Sequence, residues 1–125
     1  MATLPEAVIE AWENRKGPAI FATVDGDGTP NVIYVGCLGR HGDDTLVVAD
    51  NYFDKTRKNL LAGSRGAFLF MGADGKPYQV KGAVEYHTEG DIFDEMKRWN
   101  PGKHPGHAAA VLKVESVYSG ANKLA

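Results

Sequence analysis

Thr45-Leu46-Val47-Val48-Ala49-Asp50-Asn51-Tyr52-Phe53-Asp54-Lys55-Thr56-Arg57-Lys58-Asn59-Leu60-Leu61 reads as a short β-branched strand feeding directly into a helix. Asp54 stands where an N-cap is expected, so the backbone N–H groups that follow it lack intrahelical partners. Lys55, Thr56 and Arg57 then put two cations and a hydroxyl into the first helical turn. Cations have the wrong sign for that end of the helix dipole. An anion held at the same point would account for them, because free N–H groups, a hydroxyl and basic side chains together suit a phosphate. A solvated basic turn on a surface helix accounts for the same residues, and the spacing alone does not choose.

Upstream, Thr3-x-x-Glu6 fits a capping box, and Leu4, Val8, Ala11 and Trp12 fall at helical spacing, which predicts an amphipathic helix over 4–15 ended by Gly17-Pro18. Residues 19–24 read as a strand and Asp25-Gly26-Asp27-Gly28 as a hairpin turn. The run 30–38 carries apolar residues at both parities, Val32 and Tyr34 against Ile33 and Val35, which predicts a strand buried on both faces. With residues 45–49 this makes a three-strand meander. Downstream, 67–71 is an apolar strand, and 78–87 alternates cleanly, with Gly82 marking a bend or a close approach. Asp91 is placed to cap a helix through Trp99. A loop with two Pro, two Gly and two His follows, and then a last strand over 108–117. Six strands with three interspersed helices predict a small antiparallel barrel, since closure removes exposed edges.

The totals agree with one β-rich domain over 1–125. Glycine supplies 15 of 125 residues, an excess over the usual ~7% that suits many tight turns. The 14 Lys plus Arg against 16 Asp plus Glu give a net charge of −2, with no general pull toward nucleic acid or anionic lipid. No apolar run reaches the ~18 residues of a membrane span, and no basic-then-apolar signal pattern opens the chain. The single cysteine, Cys37, cannot form an intrachain disulfide, so a cytoplasmic location is expected.

The order of helix, meander, Lys-Thr at a helix start and a strand carrying Val80-Lys81-Gly82 resembles the FMN-binding split-barrel family. This family includes pyridoxamine 5′-phosphate oxidase and small bacterial FMN-binding proteins, to which the chain is closest in size. The resemblance spans residues 5–121 and implies a mainly β fold, a six-stranded antiparallel split β-barrel with N-terminal, mid-chain and pre-C-terminal helices. It implies FMN as cofactor, its phosphate on Lys55 and Thr56 with Arg57 as an addition. Ile33, Tyr34, Val35 and Gly36 would contact phosphate and ring, and Ala49, Asp50 and Asn51 would flank the isoalloxazine. Gln79 would meet the ring edge across the interface of a homodimer. The implied activity is that of a flavin-dependent oxidoreductase or electron carrier with an unknown small substrate. Members that oxidise pyridoxamine phosphate carry a longer, basic C-terminal segment. Here only Lys123 is basic after Lys113, so vitamin B6 oxidation is not expected.

Other chemistry reads more weakly. His104 and His107 lie in a Pro/Gly loop that cannot present a helical metal pair, so no metal is expected and the loop is read as bordering a ligand pocket. Cys37 is expected as an inert core thiol, and Trp12 and Trp99 as core residues. Gly26-x-Gly28 lacks the rest of a dinucleotide fingerprint, and no Gly-x-Ser-x-Gly elbow is present. The competing function class is a non-enzymatic small-barrel binding module, for instance for oligonucleotides. It would need a basic groove with exposed aromatics, which the acidic total disfavours.

Overall fold

The computed structural model describes residues 2–125. Its elements are α1 (Glu6–Glu13), β1 (Ala19–Val24), β2 (Pro30–Val35), β3 (Leu38–Arg40), β4 (Thr45–Asp50), α2 (Lys55–Leu61), β5 (Arg65–Met71), β6 (Pro77–His87), α3 (Asp91–Trp99), β7 (Ala108–Ser119) and β8 (Asn122–Lys123). Every strand pairing is antiparallel, in the order β2-β1-β5-β6-β7-β4-β3, with β8 added to β7. This is the mainly β split barrel with three helices that the sequence predicts, with two short strands, β3 and β8, added to the six long ones.

The expected β1–β2 hairpin forms, with a register running from Ala19↔Val35 to Val24↔Pro30. The expected continuous strand over 30–38 does not form. The ladder stops at Val35 because β1 begins at Ala19 and offers no partner beyond it. The chain turns at Gly36 and Cys37, then pairs as β3 with β4 at the opposite end of the strand order. Two residues thus link the two edges of the sheet and curl it round. In place of a meander, β4 lies between β3 and β7.

The helices also start differently from the sequence reading. Pro5 holds the N-cap position of α1, and no side-chain cap bond forms, so the Thr3/Glu6 capping box is absent. A residue before proline is disfavoured in helical geometry, and Leu4 instead donates its N–H to the Asp43 carbonyl at 2.6 Å. Asp91 is the first residue of α3, whose N-cap is Gly90. There it complements the helix dipole rather than capping.

The main core lies inside the curl. Trp12 meets Phe68 and Phe70 edge-on at 5.3 and 5.0 Å between centroids, and Phe68 stacks on Phe21 at 4.7 Å. A second cluster lies on the other face of β4 and β7, where Met96 of α3 covers Val47, Ala49, Ala109 and Val111. All six residues of β4 are consequently buried. The two-sided burial expected of β2 belongs to β4, whereas Val32 and Tyr34 of β2 are 65% and 75% exposed. Trp99 is only half-buried, against the second cluster.

Two glycines are required by close approach. A Cβ on Gly39 would lie 2.7 Å from the Trp99 indole, and one on Gly82 would lie 1.9 Å from the Lys113 carbonyl oxygen. Gly82 stands where the β6–β7 register shifts after Lys81, so the close approach expected there is a β-bulge.

Candidate functional site

Where β2, the end of β4 and the start of α2 converge, they enclose a cavity of about 390 Å³. Eight residues singled out from the sequence line it: Ile33, Tyr34, Val35, Gly36, Ala49, Asn51, Lys55 and Thr56. The polar end is built from side chains. Lys55 is exposed and has no carboxylate partner among the described residues. Thr56 is 1% exposed, and its Oγ1 accepts a hydrogen bond from Asn31 Nδ2 at 2.9 Å. With that lone pair engaged and no acceptor for its own proton among the described residues, the Thr56 hydroxyl is left as a donor toward the cavity. Asn31 also donates to Thr23 Oγ1 at 3.1 Å, and Asn59 donates to the same oxygen at 3.0 Å. These bonds tie α2 to β1 and β2. Asp54 holds the N-cap position of α2 but makes no side-chain cap bond, and its carboxylate lies 3.8 Å from Lys58.

Arg57, Asp50 and Gln79 are absent from this lining. Arg57 turns away to form a two-pronged ion pair with Asp50, Nε to Oδ2 at 2.7 Å and Nη2 to Oδ1 at 2.9 Å. Asp50 is fully buried and also accepts from the Tyr86 hydroxyl and the Phe53 N–H. Burial pushes the Asp50 carboxyl up, but the bonds from Arg57, Tyr86 and Phe53 outweigh it and hold the pKa below the usual value. Its partners respond in the opposite sense. Arg57 is raised chiefly by its bond to Asp50, and Tyr86 is pushed up to about 12 by burial and then by Asp50. The network locks the β4–α2 junction, which aims Lys55 and Thr56 at the cavity. Its third member, Tyr86, is 36 residues from Asp50, and no local pattern announces it.

The Asn51 side chain is likewise engaged within the protein. It exchanges amide hydrogen bonds with Asn100 at 3.1 and 2.9 Å, and its Oδ1 also accepts from the Gly106 N–H at 2.9 Å. It therefore pins the α3–β7 loop to the cavity wall. That loop brings His104 into the lining beside Tyr52, with Tyr52 Oη and His104 Nδ1 3.1 Å apart. Asn31, Cys37, Val48, Phe53 and Asp54 complete the wall. Cys37 is half-buried in this lining, contrary to the core position expected, because the chain leaves the strand ladder just before it. Tyr52 and Phe53 were readable as part of the strand–helix junction, and His104 as part of the loop. Asn31 carries no signal in its neighbours.

Comparison with known proteins agrees with this fold. A family model for pyridoxamine 5′-phosphate oxidase matches residues 5–119. The uncharacterized protein MJ0282 of Methanocaldococcus jannaschii is 31% identical, across 93% of this chain and 80% of its own. Among solved structures, HupZ of Group A Streptococcus is 26% identical with a TM-score of 0.73, covering 82% of this chain and 84% of that one. An FMN-binding protein from Syntrophomonas wolfei is 24% identical with a TM-score of 0.77, covering 96% and 89%, a likeness of fold. With the family match running over nearly its whole length, the chain belongs to the pyridoxamine 5′-phosphate oxidase family of split-barrel proteins.

Proposed function

We propose that the protein binds FMN in this cavity and works as a flavin-dependent oxidoreductase or electron carrier on a small substrate. The observation that carries this reading is the pairing of an uncommitted cation, Lys55, with the donor hydroxyl of Thr56 at one end of a ligand-sized cavity. Together they offer an ammonium and a hydroxyl donor to one phosphate, both bonds assisted by its charge. Val35, Val48, Ala49 and Phe53 supply apolar wall for a flat ring system. Arg57 is outside the proposed phosphate site because Asp50 holds it. Bound flavin would supply the redox chemistry, while the chain orients it and tunes its surroundings.

The same reading includes a homodimer. Strand register puts Tyr34, Ile20, Leu69 and Gln79 in one row across β2, β1, β5 and β6. Tyr34, Val32, Leu69 and Met71 leave this sheet face apolar and exposed, which suits burial against a second copy. Gln79 stands three strand spacings from Tyr34, about 14 Å. A flavin contact from Gln79 is therefore assigned to the neighbouring subunit's flavin. The free cysteine fits a cytoplasmic setting, and no helix among the described residues is long and apolar enough to cross a membrane.

Titration with FMN and riboflavin tests the proposal. FMN should bind at least 10-fold more tightly, the equivalent of about 1.4 kcal/mol from the phosphate. Equal affinities would remove the phosphate site. Sedimentation of the loaded protein should give the mass of two chains.

A further inference from the structure

Tyr52 and His104 stand together at the rim of the cavity, and the established family membership assigns them nothing. Tyr52 is 71% exposed, and its hydroxyl has one hydrogen-bond partner among the described residues, His104 Nδ1. The rings meet edge to face at 5.6 Å. Holding an exposed Tyr52 and a half-buried His104 in one geometry costs conformational entropy, and here both backbones are fixed. Tyr52 follows directly on Asp50 and Asn51. The loop of His104 is fastened to those same two residues, by the Asn51–Asn100 amide pair, by Gly106 N–H to Asn51, and by His107 N–H to the Asp50 carbonyl at 2.8 Å. Lys97 adds a bond to the Pro105 carbonyl at 2.8 Å. One strand end therefore positions both members of the pair.

The proton count defines what the pair offers. A neutral Tyr–His pair carries one O–H and one N–H, and the mutual bond uses one of them. Whichever tautomer forms, one hydrogen remains to point outward, from Tyr52 Oη or from His104 Nε2. Nε2 has no partner among the described residues. Of the other polar side chains of the lining, Tyr34 points to the exposed β2 face proposed for the dimer and Cys37 carries only a weakly donating thiol. Asn31 and Asn51 are held in internal networks, Asp54 faces Lys58, and Lys55 and Thr56 form the proposed phosphate site. At about 390 Å³ the cavity is near the lower end of the ~300–1,000 Å³ range of ligand pockets. One cofactor-sized molecule fills it, and a second must sit at the rim.

We infer that Tyr52 and His104 form the substrate-binding site, a hydrogen-bond donor for a small aromatic molecule with a carbonyl or carboxylate oxygen. The oxygen accepts the outward hydrogen of the pair, and the exposed Tyr52 ring gives the molecule an apolar surface. This inference rests on FMN occupying the inner cavity, but its test does not depend on colour or turnover.

Benzoate serves as the probe, titrated into protein with and without added FMN and followed by NMR through the backbone amide resonances of the loop 102–107, which every variant retains. With FMN present, a saturable shift is expected. The double variant Tyr52→Phe/His104→Leu, which has neither possible outward donor, should weaken benzoate at least 10-fold, as loss of a hydrogen bond to a charged acceptor does. His104→Gln should stay within about threefold of wild type, because its amide both accepts from Tyr52 and donates outward. Absence of saturable binding, or a double variant that binds benzoate within about threefold of wild type, would overturn the assignment. A protein that binds benzoate through the pair but takes up no FMN would refute the flavin proposal and leave this site standing.

Discussion

Replacing Asp50 with asparagine tests the network beneath the site, because it removes one charge while keeping the side chain's shape. With the amide oxygen in place of Oδ1, the bonds from Arg57 Nη2 and the Phe53 N–H survive. The amide nitrogen then replaces Oδ2 and confronts Arg57 Nε–H and the Tyr86 hydroxyl. Tyr86 can rotate to accept, but Arg57 Nε–H cannot. One charge-assisted bond is lost, about 1.5–3 kcal/mol, and those of Phe53 and Tyr86 become neutral, so the total is about 2–4 kcal/mol. Arg57 is one-third exposed, so water relieves its stranded charge and keeps the cost below that of a fully buried pair, about 3–5 kcal/mol. At about 2.1 cal/mol/K per residue, 125 residues unfold with about 0.26 kcal/mol/K, which converts the loss into roughly 8–15 °C of Tm. Thermal unfolding by circular dichroism across pH measures it. The folded pKa of Asp50 lies below the unfolded ~3.9. Its contribution is therefore fully present above about pH 4 and lost as pH falls through the depressed folded value, so the gap between wild type and variant should be constant from pH 5 to 8 and close in acid. Tyr86 acts in the opposite sense. Its pKa is raised to about 12 against an unfolded ~10, so its contribution is complete below pH 10 and lost as pH rises toward 12. A variant melting within 2 °C of wild type at pH 7 would refute a buried Asp50–Arg57 pair, on the about 0.26 kcal/mol/K just given.

Further outcomes are expected from the same structure. Lys55→Ala should weaken FMN about 10- to 150-fold by fluorescence titration, while replacing Lys58, whose side chain is 78% exposed and faces Asp54, by Ala should leave it unchanged; equal losses would indicate diffuse charge in place of a phosphate site. Thr56→Val should cost about 0.5–1.5 kcal/mol in FMN binding and, because Thr56 is buried in the Asn31 network, a further ~1 kcal/mol in stability by urea denaturation. Gly82→Ala should destabilise by about 3 kcal/mol or more, since its Cβ would overlap the Lys113 carbonyl and the bulge would have to move; an unchanged urea midpoint would argue against that close approach. Tyr34→Glu puts a charge on the exposed β2 face and should yield monomers by sedimentation, and an intact dimer would place the interface elsewhere.

Local physics made much of this protein readable from its sequence alone. The β1–β2 hairpin follows from Asp-Gly-Asp-Gly turn chemistry, β6 from strict alternation, and the strand–helix junction from a β-branched run ending at Asp50. Each depends on neighbours within a few residues. Lys55 and Thr56 could be singled out for the same reason, being adjacent on one helical turn, and both line the cavity. What only the tertiary structure decided are the fates of polar groups whose partners are distant in sequence. Arg57 reads like its neighbour Lys55 in the chain, yet a buried carboxylate seven residues back and a tyrosine 29 residues ahead claim it. Asn51 reads as a ring contact, yet its amide is satisfied 49 residues away. The break at Gly36 and Cys37 depends on where β1 starts and on the vacant edge of β4. A one-dimensional pattern carries periodicity and local turn chemistry, whereas the satisfaction of a buried charge or an open sheet edge is settled by which strands the closing barrel brings together.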